Sequence, residues 1–357
     1  MTIDIPDKFK VLRQISKGNY GVVYLCENTY LSNRKEAVKL IYPKSKKEEE
    51  LANELNKNLF ESSVLEYLRK SQYIVEIYDA DFLTDCFRIN MEYLQNGSVQ
   101  DQLDSQTILT TKQVLKISEC ILHALEYAHN KHIFHLDVKP GNILVKNENV
   151  FKLSDFGLSS ITDKDGKSLF KEIYTKHFPP EKLSQQQNKA TVQTDIYMFG
   201  VTLYRLLNGD AYINDQWGSY QSQDLLINGI VKGKFPNRKK YLPHVPNKLK
   251  RIVNKCLNID LNKRFQNVRE IRNAFGKVKI KYNWKLKTSN SNACLWECRL
   301  NDKTMFELNT TFNSQNYEIS LLKYGKTRKT RVVKYCKKSL SKSEFEKIMN
   351  DIFNEYF

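Results

Sequence analysis

The run His135-Leu136-Asp137-Val138-Lys139-Pro140-Gly141-Asn142 constrains this chain more than any other stretch. Asp155-Phe156-Gly157 comes next, with Asp155 lying 13 residues beyond Asn142. Together the two motifs offer a carboxylate that can accept a proton, an ammonium group that can face phosphate, and two hard oxygen ligands. Phosphoryl transfer uses such a set, because its catalysis is mostly positioning and charge neutralisation. A lone Asp or Asn in a loop is usually a turn residue, but an ordered run of this length is not explained by turns.

At 357 residues, with 41% hydrophobic content, the chain can bury a large core and reads as a soluble globular protein of two domains or one two-lobed unit. No apolar run approaches the roughly 18 residues of a membrane span, so no membrane association is expected. Met1 to Lys10 carries Asp4 and Asp7 and no apolar core stretch, unlike a signal peptide. Seven scattered cysteines, an odd number, predict free thiols and a cytoplasmic, reducing location. Cys294 and Cys298 are four apart, but no histidine lies beyond His244 to complete a zinc set, so they read as core thiols.

The net charge of +17 is unevenly spread, with 17 Lys and Arg against 8 Asp and Glu in residues 277–357. Nine basic residues and no acidic one lie between Lys323 and Ser343. Such a field favours acidic partners, an acidic protein or nucleic acid. A solvated basic surface accounts for it as well.

Upstream of the loop, residues 9–25 alternate in a strand-loop-strand pattern around Ser16-Lys17-Gly18-Asn19-Tyr20-Gly21-Val22-Val23. Ala37-Val38-Lys39 falls on the next strand. An amphipathic stretch runs from about Glu48 to Lys70, where Glu61 precedes Val64, Leu65 and Leu68. Phe87 to Leu94 reads as a buried strand leading into a hinge. Residues 111–131 form an apolar-periodic helix, with Val114, Ile117, Ile121, Leu122, Leu125 and Ala128 on one face.

These motifs, in this order, resemble the eukaryotic-type Ser/Thr protein kinases over residues 8–275. The resemblance implies an α+β, two-lobed fold, with a β-rich lobe over about 8–92 and a helical lobe over about 95–275. It implies ATP with Mg²⁺, or Mn²⁺ in its place, and a protein substrate. Asp137 would orient the substrate hydroxyl and take its proton, and Lys139 would neutralise charge on the γ-phosphate. Asn142 and Asp155 would hold the metal. Lys39 would pair with Glu61, which fits the family spacing better than Glu54. Ser16, Lys17, Gly18 and Gly21 would cover the phosphates. Val23, Ala37 and Leu144 would sandwich the adenine, Met91 would stand at the back of its pocket, and Glu92 to Leu94 would bond its edge. Pro179-Pro180-Glu181 stands where the family has Ala-Pro-Glu. Arg264 matches the arginine that pairs with Glu181. Asp195 opens a segment resembling D-x-W-x-x-G, with Phe199 and one extra residue.

Departures from the family pattern matter too. The first glycine of the Gly-rich loop is Ser16. Leu136 replaces the arginine that receives an activation-segment phosphate, so activity without such phosphorylation is expected. Ser159, Ser160, Thr162, Ser168, Tyr174 and Thr175 are nevertheless candidate phosphosites, and autophosphorylation is expected. Thr175 is the best candidate for the threonine that bonds the catalytic aspartate, although an ungapped count favours Tyr174. Gly141 replaces an acidic residue, so no preference for basic substrates is expected.

Beyond residue 276 the pattern changes. Residues 278–286 alternate as a strand, and strand-like runs follow at 293–300, 305–312, 317–324 and 331–337. Phe345, Ile348, Met349, Ile352, Phe353 and Tyr356 line a final helix, with Ser343 and Glu346 as its capping box. The expectation for 277–357 is a small antiparallel sheet plus helix that binds an acidic protein or nucleic acid, packs on the helical lobe, or dimerises. Oligomeric state is left open. Lys139 favours Ser/Thr specificity. The alternatives are a tyrosine or dual-specificity kinase, a small-molecule kinase, and a pseudokinase scaffold acting through the basic module.

Overall fold

A computed structural model describes residues 8–18, 21–42, 67–83, 86–105, 108–156, 160–161, 168–169, 177–183, 189–313 and 315–356. It divides into two compact units. One gathers residues 1–101, 120–178 and 186–198, and the other 102–119, 179–185 and 199–357.

The first unit begins with an antiparallel sheet of β1 (Phe9–Gly18), β2 (Gly21–Asn28), β3 (Arg34–Ile41), β4 (Ile77–Phe82) and β5 (Phe87–Glu92), ordered β1-β2-β3-β5-β4. Phe9, Cys26, Val38, Leu40 and Cys86 form one core cluster of this sheet. Gly21 holds a φ of 127°, and an added Cβ would meet the Leu40 carbonyl oxygen at 2.2 Å, so the tight β1–β2 connection requires glycine there. Lys39 is paired with Val23 on one side and Ile89 on the other, and Ala37 lies opposite Met91. The fold thus sets the lysine beside the strand that leads into the hinge. Glu61 and its rival Glu54 lie outside the described residues.

The helices are α1 (Val99–Asp104), α2 (Thr111–His129), α3 (Pro180–Leu183), α4 (Val192–Asn208), α5 (Asp210–Gly218), α6 (Gln223–Val231), α7 (Asn247–Cys256) and α8 (Val268–Gly276). All six apolar positions expected on one face of α2 are buried. After α2 come β6 (Ile133–Phe134), a short 3-10 turn at Pro140–Asn142, and the hairpin β7 (Ile143–Asn147) and β8 (Val150–Leu153). Small pairs are made by β9 (Ser160–Ile161) with β6 and by β10 (Ser168–Leu169) with β11 (Lys189–Ala190). No helix among the described residues is long and apolar enough to cross a membrane.

The second unit continues past residue 276 into a sheet of β12 (Lys285–Ser289), β13 (Ala293–Asn301), β14 (Thr304–Asn313), β15 (Asn316–Tyr324) and β16 (Lys329–Arg331). β17 (Lys337–Leu340) also pairs with β15, and α9 (Lys342–Glu355) closes the chain. Trp296 and Cys298, Phe306 and Leu308, and Ile319 and Leu321 alternate onto one buried face, which Met349, Ile352 and Phe353 of α9 cover.

Three details differ from the expectation. The first strand begins at Lys285 rather than 278, with its pairing to β13 starting at Glu297; Val278 and Trp284 bury from irregular backbone instead. The strand expected at 331–337 is broken by a 3-10 turn at Val333–Tyr335 that sinks Tyr335 into the core. The capping box is Ser341 with Glu344, since Ser341 is the last extended residue (φ −65°, ψ 161°) and Ser343 is already helical.

This sheet-and-helix module is anchored within its unit. The His244 ring lies 4.8 Å from Trp296 and 6.4 Å from Phe353, and Asn283 Oδ1 accepts the Lys112 backbone N–H at 3.1 Å. Packing onto the helical lobe, one of the alternatives open from sequence, is therefore present.

Candidate active site

The cavity and the loop residues about it belong to the first compact unit. A cavity of about 300 Å³ is lined by Ser16, Val23, Ala37, Lys39, Met91, Glu92, Leu94, Leu144, Asn142 and Asp155 among the residues expected. Lys17 and Gly21 stand on the adjoining strands and are not among the lining residues, and Gly18 ends β1. Ile15, Val75, Ile77, Gly97, Ser98, Asp101 and Ser154 line it as well and were not singled out from sequence, and Tyr93 of the hinge and Gly141 of the loop complete the lining. Ser98-x-x-Asp101 carried a readable signal, a helix-capping pattern. Asp101 Oδ2 accepts the Ser98 backbone N–H at 2.7 Å and Ser98 Oγ at 3.0 Å, starting α1 at the cavity rim.

The hinge is fixed by charge. Glu92 accepts from Lys146 at 3.0 Å and Lys152 at 2.5 Å. Burial would raise the Glu92 pKa, but the two lysines outweigh it and hold the carboxyl below its usual range. The Glu92 N–H donates to the Glu76 carbonyl at 2.9 Å, which leaves the Glu92 carbonyl and the Leu94 N–H to meet a base edge. Val145 N–H donates to the Gly97 carbonyl at 2.9 Å, tying the hinge to β7 and setting Leu144 against the cavity.

Lys39 Nζ donates to Asp155 Oδ1 at 3.1 Å. Asp155 has a φ of 61°, a left-handed conformation that costs a non-glycine residue free energy. Burial opposes its ionisation, but the Lys39 charge and hydrogen bond prevail and lower its pKa. Phe156 is buried edge-on against His135, with ring centroids 4.5 Å apart. His135 Nδ1 accepts the Asp137 N–H at 3.1 Å, which makes Nε2 the protonated nitrogen; it donates to the Ser154 carbonyl at 3.0 Å. Burial keeps this imidazole neutral by lowering its pKa.

Asp137 Oδ2 accepts from Lys139 Nζ at 2.5 Å and from Asn142 Nδ2 at 2.8 Å. Its Oδ1 is buried and has no hydrogen-bond partner among the described residues. Burial raises the Asp137 pKa above the usual carboxylate range, against the pull of Lys139. One oxygen is therefore committed to orientation, and the other is an acceptor still needing a donor.

The donor set suits a divalent cation of the Mg²⁺ type. Asn142 spends its amide nitrogen on Asp137, so Oδ1 is the atom it can offer, beside the Asp155 carboxylate. No group of three or more His, Cys, Asp or Glu among the described residues forms a protein-only metal cluster. Two hard oxygens completed by phosphate oxygens is the usual Mg²⁺ arrangement.

Behind the loop, Asp195 is fully buried in the first turn of α4. Its carboxylate accepts the backbone N–H groups of His135 and Leu136 at 2.9 and 2.8 Å and His129 Nε2 at 2.8 Å. Burial would raise its pKa, but His129 and His135 outweigh that and lower it. Asp195-Ile196-Tyr197-Met198-Phe199-Gly200 has the six-residue length of D-x-W-x-x-G, so the extra residue expected is not there, and the buried Tyr197 of α4 takes the tryptophan's place. Leu136 packs with Phe134, Ala190 and Val192 in an apolar cluster, where a phosphate-receiving arginine would stand.

Within the second unit, Arg264 and Glu181 form a buried bidentate pair at 2.8 and 3.1 Å. Of the phosphosite candidates, Ser160 and Ser168 fall on β9 and β10. Ser159, Thr162, Tyr174 and Thr175 lie outside the described residues. His177, not singled out from sequence, places Nδ1 2.8 Å from the Val138 carbonyl.

A family model described as a protein kinase domain matches residues 9–275. The serine/threonine-protein kinase PrkC of Bacillus subtilis is 27% identical over 75% of this chain and 40% of its own length. The probable serine/threonine-protein kinase PknB of Lactococcus lactis is 24% identical over 74% of this chain and 41% of its own. The serine/threonine-protein kinase DCLK1 of Rattus norvegicus is 28% identical over 74% of this chain and 59% of its own. The chain thus spans about two fifths of the length of the bacterial relatives.

Proposed function

The chain belongs to the protein kinase family through residues 9–275, and from that premise we propose that it transfers the γ-phosphoryl group of ATP to serine and threonine hydroxyls of proteins. The observation that carries this reading is Asp137, whose Oδ1 is an unspent buried acceptor while Oδ2 is clamped by Lys139 and Asn142. A substrate hydroxyl donating to Oδ1 is oriented by that bond and loses its proton to it as the oxygen attacks. The raised pKa makes the carboxylate a better proton acceptor than an exposed aspartate.

The remaining residues position and neutralise. Lys39 turns from Asp155 toward the α- and β-phosphates, and Lys139 lies beside the base to meet charge on the γ-phosphoryl group. Asn142 and Asp155 would hold Mg²⁺, which when bound neutralises the phosphate oxygens. Val23, Ala37 and Leu144 cover the adenine, Met91 closes the back of its pocket, and Ser98 and Asp101 offer polar atoms to a ribose. Lys139, two residues after the base, favours Ser/Thr over Tyr, and the names of the relatives agree. The apolar surroundings of Leu136 support activity without a phosphorylated activation segment. Autophosphorylation is part of the same reading. The seven cysteines are free thiols, which suits a reducing, intracellular location.

Phosphoamino-acid analysis of protein labelled from γ-labelled ATP tests the specificity. Phosphoserine or phosphothreonine is expected, and phosphotyrosine alone would overturn it.

A further inference from the structure

The basic edge of the C-terminal sheet holds none of the residues assigned above to phosphoryl transfer. β16, the turn at Val333–Tyr335 and β17 run along one edge of β15. Of the nine cations between Lys323 and Ser343, three are engaged locally. Lys334 pairs with Glu355 at 2.8 Å, and Lys323 and Lys329 lie over the rings of Phe306 and Tyr324 at 5.9 and 4.8 Å. The other six are Lys326, Arg328, Arg331, Lys337, Lys338 and Lys342. All are exposed, and none has an acidic partner among the described residues.

Lysines on a sheet edge also discourage edge-to-edge pairing. That role covers strand residues, but not Lys326 and Arg328 in the turn before β16, nor Lys342 in the first turn of α9. At a helix N-terminus a cation opposes the helix dipole, so helix stability does not explain Lys342.

Arg331, Lys337 and Lys338 border a concave site of about 420 Å³. Asn309, Thr311 and Ser320 bring amide and hydroxyl groups to it. Alternation with the buried Leu308, Thr310, Ile319 and Leu321 places these three on the outer face of the sheet. Glu318 also borders it, at the end nearer the β14–β15 turn.

We propose that this edge binds the phosphate backbone of nucleic acid, with one phosphate seated among Arg331, Lys337 and Lys338. A guanidinium fork beside two ammonium groups and hydroxyl donors matches the several acceptor oxygens of a phosphate. The unpaired cations beyond the site call for a ligand with closely repeated charge, which a nucleic-acid backbone carries and a single phosphate group does not. The rings of Tyr324 and Tyr335 along this edge are covered by Lys329 and Lys334, so binding is independent of base sequence.

The test uses the full chain and a labelled oligonucleotide of about 30 nucleotides of mixed sequence, single-stranded and duplex, followed by fluorescence anisotropy from about 50 to 200 mM salt. Affinity is expected to fall steeply with salt. Arg331→Ala, Lys337→Ala and Lys338→Ala together should weaken binding roughly tenfold or more and reduce the salt slope by about 2 to 3. Lys337→Gln with Lys338→Gln is the milder variant should the triple one melt early. Lys248→Ala, Arg251→Ala and Lys255→Ala alter the other basic groove, on α7, and should change little. Absence of binding at the lowest salt, unchanged binding by the edge variants, or loss confined to the α7 variant would overturn the proposal. So would displacement by polyglutamate as effective as by unlabelled oligonucleotide at equal charge, which would assign the edge to an acidic protein. None of these readouts depends on phosphoryl transfer.

Discussion

The carboxylate of Asp195 accepts the backbone N–H of Leu136 at 2.8 Å while Leu136 holds a φ of 63°. A leucine in the left-handed region persists only when its surroundings over-determine it. Here the residue before Asp137 is pinned from behind by a buried anion that also holds His135 and His129. Asp195→Ala leaves two buried N–H groups unpaired, and a loss of about 2–5 kcal/mol in stability is expected. Under conditions where the variant stays folded, kcat should fall far more than KM for ATP, because no cavity-lining residue is altered. A variant with wild-type kcat would show that the loop keeps its shape without this anchor.

The setting of Leu136 bears on the proposed activity without a phosphorylated activation segment. Its side chain is fully buried with Phe134, Ala190 and Val192, a setting that offers nothing to a phosphate. Protein treated with a broad-specificity phosphatase, then freed of it, is expected to keep within about twofold of its activity, a difference below 1 kcal/mol in barrier. A loss of tenfold or more, restored by incubation with ATP, would contradict this.

Much of the site was legible because its residues are contiguous or ordered along the chain. Asp137, Lys139, Asn142 and Asp155 belong to two short motifs, and Lys39 follows a glycine pattern at a readable distance. Asp101 and Ser98 were passed over because a capping pattern is common and says nothing about which cavity it faces. His177 went unremarked because its partner, the Val138 carbonyl, is a backbone atom without a sequence signal. In the last 81 residues the apolar alternation located β13, β14, β15 and α9 well. It failed at 278–284, where alternating burial comes from irregular backbone rather than from a strand.

Arg264 and Glu181 are both buried and bond in two places. Arg264→Ala leaves an uncompensated buried carboxylate, and a loss of about 3–5 kcal/mol is expected in denaturant unfolding. Glu181→Gln combined with Arg264→Met removes both charges and should cost less than Arg264→Ala alone. Equal losses would mean that packing, and not charge, dominates at this place.

His244 is buried beside Trp296 and Phe353, and neither ring nitrogen has a hydrogen-bond partner among the described residues. Burial, with the charge of Lys250 adding to it, lowers its pKa from 6.5 to about 3. Above pH 6.5 the group is neutral in both folded and unfolded chains and has no effect on stability. Below that the unfolded chain binds a proton that the folded one refuses. Stability then falls by up to about 1.4 kcal/mol per pH unit as the pH drops toward 3. His244→Phe should remove this component, so its stability declines less than that of the wild type between pH 6.5 and 4. Parallel curves would show that the ring is protonated in the folded state.

The most direct test of the central claim compares transfer of labelled γ-phosphate from Mg-ATP to a protein acceptor by the wild type and by Asp137→Asn, with ATP binding measured in parallel. The account predicts label on serine or threonine with the wild type, a loss of about a hundredfold or more with the variant, and similar ATP affinity in both. Equal transfer by the two proteins, or none by a folded, ATP-binding wild type, would contradict it.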